Sequence, residues 1–192
     1  MGTESYQATL YQRPTSSAGK EKAMSDSQEW LIQWIRDAHA MEEQAETMLD
    51  GQLNRLENYP ELSGRIRQHV EETKGQAARL KTCLEEMGED TSTLKDAGGK
   101  LIAWGQSFSG LFAGDEVMKG SLASYTFEHM EIASYTMLIA AAKSLGEAKV
   151  AQACEQNLRE EEAMADWLRQ HLPGTTEQFL ARADAESDEA KR

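Results

Sequence analysis

Long hydrophobic runs are missing from this 192-residue chain. Nothing approaches the roughly 18 consecutive apolar residues of a membrane-spanning helix, and no apolar core of a secretion signal is expected near the N-terminus. Cysteine is scarce: Cys83 and Cys154 stand far apart and form no CxxC. That argues against a disulfide scaffold or a zinc knuckle and for a reducing compartment, so a cytoplasmic location is expected. Val and Ile are few, so a large sheet is not expected. Basic residues are outnumbered, 20 Lys and Arg against 33 Asp and Glu, for a net charge of −13. Such a surface repels phosphate backbones and anionic lipid, which argues against nucleic acid and membrane partners. No GxGxxG opens a strand–helix unit, no P-loop is present and no Ser/His/Asp set can be placed.

What is abundant favours helix: Ala, Glu, Leu, Gln and Met. Residues 1–26 are polar and without helical period, and are expected to be a disordered tail. Residues 173–192 thin into a polar C-terminal tail. Between them, apolar residues recur at alternating steps of three and four over 28–56, 61–87, 121–145 and 147–172, the period of packed amphipathic helices. The loops after the first and third helices are short and join antiparallel neighbours. A long connection lies between the second and third helices and carries a further amphipathic piece over 94–111, with Leu101, Trp104 and Phe108. The fold expected over 27–172 is all-α, two antiparallel hairpins joined by a long crossover with an extra short helix. That is the connectivity of a ferritin-like four-helix bundle.

Acidic residues interrupt the stripes. The third helix reads FEHMEIASYT over 127–136, placing Glu128, His129 and Glu131 within about one turn of an otherwise apolar segment. Glu42, Glu128 and Glu161 fall on the inner stripes of the first, third and fourth helices, and Glu72 borders that of the second. In each hairpin the two glutamates are equidistant from the turn and therefore share one level. A single glutamate at such a position is ordinarily a snorkelling side chain. Four at one level, with Glu131 at the rim, match the charge of two divalent cations. His69 and His129 are nitrogen candidates, and His39 lies one turn from Glu42; His171 is too far along its helix. A set rich in oxygen, poor in nitrogen and free of thiolate suits iron or manganese better than zinc. The usual two-metal bundle carries Glu-x-x-His on two helices. Here Gly75 follows Glu72 by three and Met164 follows Glu161 by three, while the second helix offers His69-x-x-Glu72 in reversed order.

The stretches HVEETKGQ (69–76), EHMEIASY (128–135) and REEEAMADWL (159–168), with DAHAMEEQ (37–44) in the first helix, resemble the signatures of the YciE/YciF family over about residues 26–172. The resemblance implies a ferritin-like, dimeric protein associated with bacterial stress responses. It also implies a di-metal site lined by Glu42, Glu72, Glu128, Glu131, Glu161 and His69. Met130 replaces an aromatic residue common in the family, and Lys74 stands where some members have His.

The function expected from these readings is a di-iron or di-manganese carboxylate protein in stress protection, removing peroxide or oxygen reductively. Its electron donor would be a separate protein, since no CxxC relay exists. Tyr125 and Tyr135 are near enough to Glu128 to donate hydrogen bonds or electrons, although tyrosines so placed ordinarily pack the core. The alternative is a non-enzymatic helical stress or scaffold protein. It would act through dimer or partner contacts, with Trp104, Phe108 and Phe112 of the connection as one such surface.

Overall fold

A computed structural model describes residues 17–92, 94 and 115–185, with side chains from residue 26 onward. Four helices are present among them: α1 (Ser17–Leu53), α2 (Pro60–Glu86), α3 (Glu116–Leu145) and α4 (Ala148–Ala185). Most of the connecting piece expected over 94–111, including Trp104 and Phe108, and Phe112 beyond it, lie outside the described residues.

Local chemistry sets the helix ends. Pro60 opens α2, where its missing N–H costs nothing. Gly88 and Gly146 take φ of 82° and 78°, and behind each the next amide reaches back to a carbonyl five residues earlier, Glu89 to Leu84 and Glu147 to Ala142. This left-handed glycine cap satisfies the last carbonyls of α2 and α3 and turns the chain. Helix α4 continues past Pro173, although the sequence pattern fades there. Its last turns are held against the α1–α2 corner: Gln178 donates to the Asn58 carbonyl at 2.9 Å, and Phe179 packs on the cluster containing Leu56, Tyr59 and Leu62.

Helices α1 and α2 form one hairpin and α3 and α4 the other; the hairpins meet along α1–α3 and α2–α4. At one end Arg36 pairs with Glu89 at 2.7 Å and Gln28 bonds Glu147 at 3.0 Å; at the other Arg55 approaches Glu116 at 3.8 Å. The chain must therefore travel the length of the bundle between α2 and α3, and the architecture is the ferritin-like four-helix bundle. Its apolar core is divided. One cluster gathers Leu31, Ile35, Leu80, Leu84, Leu138 and Val150. The second gathers Leu49, Leu56, Ile66, Val117, Met164 and Leu168. Each such side chain contributes about 1.5–3 kcal/mol by leaving water. Polar side chains form the layer between the clusters.

Candidate metal centre

That layer consists of Glu42, His69, Thr73, Gln76, Glu128, Glu131, Asn157 and Glu161, all buried. Each helix contributes at least one group. Helix α1 brings Glu42 and α4 brings Glu161. Helix α3 brings Glu128 and Glu131, whose three-residue spacing keeps both on one face. Helix α2 brings His69. Its Nε2 lies 3.1 Å from Glu128 Oε2 and 3.4 Å from Glu161 Oε2. One ligand-type atom from each of these three residues falls within 4.8 Å of the others, a grouping that can hold a metal ion.

The outer atoms of the cluster are tied. His69 Nδ1 stands 2.9 Å from Glu72 Oε2, and Glu72 in turn accepts from Arg65 at 3.0 Å and Gln68 at 2.7 Å. Gln76 donates to Glu161 Oε1. Tyr135 donates to Glu42 Oε1 and accepts from Asn157 Nδ2 at 2.9 Å. Arg79 Nε holds Asn157 Oδ1 at 2.6 Å and also pairs with Glu160 near the surface. Other carboxylate oxygens of the layer are left over. Glu42 Oε2 and Glu131 Oε1 have no hydrogen-bond donor, and Glu128 Oε2 and Glu161 Oε2 have only the ion pairs to His69 Nε2.

This arrangement perturbs ionisation. Burial, then the charge of Glu161, hold Glu42 well above the ordinary carboxylate range. Burial and the charges of Glu161, Glu42 and Glu128 do the same to Glu131. Burial carries Glu128 up to about 8, although His69 opposes it. For His69 burial disfavours the charged form, but Glu128 and the hydrogen bonds to Glu128, Glu161 and Glu72 outweigh it and push the imidazole up to about 12. Burial alone would raise Glu72, but His69, Arg65 and Gln68 bring it down to about 2. A buried group of like charges ionises only if cations compensate it, so these carboxylates take up either protons or metal.

The residues singled out in the sequence are therefore placed unequally. Glu42, Glu128, Glu131, Glu161 and His69 converge. Glu72 is at the right level but one position off the inner stripe, with its side chain 23% exposed, and grips His69 from outside. His129 is exposed and meets the edge of Tyr125 with ring centroids 4.6 Å apart. His39 is buried, its Nδ1 3.9 Å from Glu43, and burial lowers its pKa. Gln76 and Arg79 were not anticipated. Gln76 could have been, because it follows Thr73 by three and precedes Leu80 by four, making it a polar residue on the inner stripe.

Residues 26–181 match the family described as a domain of unknown function, DUF892. The chain belongs to this family. A protein of solved structure from Xanthomonas campestris pv. campestris is 44% identical, with a TM-score of 0.70 over 82% of this chain and 99% of that one. The E. coli stress protein YciF is 28% identical, with a TM-score of 0.62 over 76% of this chain and 94% of that one.

Proposed function

We propose that this DUF892 protein is a di-metal carboxylate protein of the stress-protection type, holding two iron or manganese ions between its hairpins. One observation carries the reading: four buried carboxylates meet in one layer, Glu42 Oε2 and Glu131 Oε1 without a hydrogen-bond donor and Glu128 Oε2 and Glu161 Oε2 facing only His69 Nε2, while Tyr135 and Gln76 hold Glu42 and Glu161 from outside. Four carboxylates balance two divalent ions, and a nitrogen-poor, thiolate-free set suits iron or manganese.

In this proposal His69, Glu42, Glu128, Glu131 and Glu161 hold the ions. Glu72 is an outer carboxylate that fixes the ring of His69, a recurring way of orienting a metal-bound histidine. Bound there, the ions would supply the electron changes that reduce peroxide or oxygen. The protein's own groups do the rest. The two apolar clusters limit water at the layer. Tyr135 holds a hydroxyl proton against Glu42, Asn157 fixes the direction of that hydroxyl, and Gln76 fixes Glu161. Electrons come from a separate donor. The similarity to a protein described as a stress protein supports the protective role.

A homodimer belongs to the same proposal. Between Lys119 and Lys143 the outward positions of α3 carry no charge; Leu122 and Met137 are 57% and 58% exposed beside Thr126, His129 and Ala133. A helix apolar on all sides is normally covered on all sides. A second copy presenting the same uncharged face would cover it without bringing acidic surfaces together.

The test is metal analysis of protein purified without chelators, followed by reconstitution with Fe(II) or Mn(II) and addition of peroxide. Two ions per chain and peroxide consumption with a spectral change are expected. Loading that Glu128→Ala and Glu161→Ala leave intact would refute the site; loading without any peroxide reaction would refute the redox role alone.

A further inference from the structure

A second set of reactive groups lies outside the acidic layer. Gln76 of α2 touches Glu161 of α4. From that contact α2 runs forward to Cys83 and α4 runs back to Cys154, seven residues in each case. The helices are antiparallel, so both steps lead toward the same end of the bundle. Seven residues make two turns, about 10 Å, so each cysteine returns to the face that carries the Gln76–Glu161 contact. Arg79–Asn157 at 2.6 Å on one side and Glu86–Lys149 at 2.9 Å on the other keep that register. The thiols therefore face each other at one level. They are 5% and 0% exposed, share one apolar cluster with Leu80, Leu84, Val150 and Ala151, and are the chain's only cysteines, both reduced.

We propose that Cys83 and Cys154 form a reversible dithiol–disulfide couple, oxidised by peroxide, that ties α2 to α4 two turns from the acidic layer. In the first step the Cys83 sulfur takes one oxygen from hydrogen peroxide. The O–O bond breaks, and the second oxygen leaves as water with the displaced proton. In the second step the Cys154 sulfur attacks the sulfenic acid, the S–S bond forms, the S–O bond breaks, and a second water leaves with the Cys154 proton. Two electrons pass from the two sulfurs to the peroxide, and a small dithiol reverses the change. Cys83 reacts first because it is the less deeply buried. Burial, with Cys83 close by, pushes the Cys154 thiol up to about 12, and burial raises Cys83 as well. Thiolate is therefore scarce and the oxidation is slow, a response to sustained rather than brief exposure. In the dry cluster the facing thiol is the nearest partner for the sulfenic acid, which favours the disulfide over further oxidation.

This inference does not rest on metal in the acidic layer, so the chelator-treated full chain is the material for its test. The protein is incubated natively with excess hydrogen peroxide, then denatured, alkylated and analysed by mass spectrometry. Expected are the loss of two hydrogen atoms, no alkylation at either position, and a peptide joining Cys83 to Cys154. Dithiothreitol reverses all three, and the cross-link raises the melting temperature of the wild type. Cys83→Ser and Cys154→Ser each abolish the cross-linked peptide. A disulfide needs Cα atoms within about 7 Å, so the reaction also reads how closely α2 and α4 approach. Two thiols still open to alkylation, a sulfinic acid at either position, or a bridge between two chains would overturn the couple.

Discussion

Glu72 Oε2 lies 2.9 Å from Nδ1 of His69, on the side of the ring away from Glu128. This contact keeps the Nδ1 proton outward and directs Nε2 into the acidic layer. A carboxylate in that position typically accounts for 10–100-fold in metal affinity. Glu72→Gln is expected to weaken Mn(II) binding by about that factor and His69→Ala by more, measured by isothermal titration. Wild-type affinity in Glu72→Gln would show that the contact does not orient a ligand.

The metal-free protein is expected to lose stability as pH rises. Glu42, Glu128 and Glu131 have raised values in the fold, so their contribution is full below the ordinary 4.5 and is lost as pH climbs, for Glu128 through about 8. His69 acts in the same sense, with a contribution complete below 6.5 and lost on the way to about 12. Glu72 acts oppositely: its contribution is present above 4.5 and lost as pH falls through about 2. Between pH 5 and 8 the first groups dominate. Chelator-treated protein is expected to melt lower at pH 8 than at pH 5. Mn(II) is expected to cancel or reverse the difference, because it binds the deprotonated groups. Identical melting curves at both pH values would show that the glutamates are ordinarily solvated.

How much of this could be read from the chain depends on the physical scale of each feature. Helix period and short loops are local, and both hairpins were legible from them. Glu42, Glu128 and Glu161 were legible because a carboxylate on an apolar stripe conflicts with its surroundings. Glu72 was harder to place. One residue of helix turns a side chain by about 100°, and Glu72, bordering the stripe, was read with the inner glutamates, whereas its side chain reaches His69 from outside. His129 was ambiguous for the same reason. The supports of the layer depend on contacts between helices distant in sequence. Gln76 with Glu161 and Asn157 with Tyr135 leave little trace in a one-dimensional pattern. The far end of α4 was missed because Pro173 ordinarily stops a helix, whereas here packing by Phe179 and Gln178 carries it on.

Tyr135→Phe tests the inner hydrogen bonds. It leaves Asn157 Nδ2 without its acceptor and Glu42 Oε1 without its donor in a buried place. The expected loss is about 1–3 kcal/mol, read by chemical denaturation of metal-free protein. A change within about 0.5 kcal/mol, the range of ordinary surface substitutions, would mean that water replaces the hydroxyl.

Met137→Glu tests the uncharged face of α3. Light scattering is expected to show a dimer for the wild type and a monomer for the variant, with helix content unchanged in both. A wild-type monomer at micromolar concentration would remove the second copy as the partner of this face.

The acidic layer takes Glu42 and His69 from one hairpin and Glu128, Glu131 and Glu161 from the other. Neither half owns a complete set, so cations held there would act as rivets across a seam. Stripping them would first let the two halves slide or part, with each pair of rods still wound. Loss of the ions would then appear as a swelling of the molecule before any unwinding of its helices.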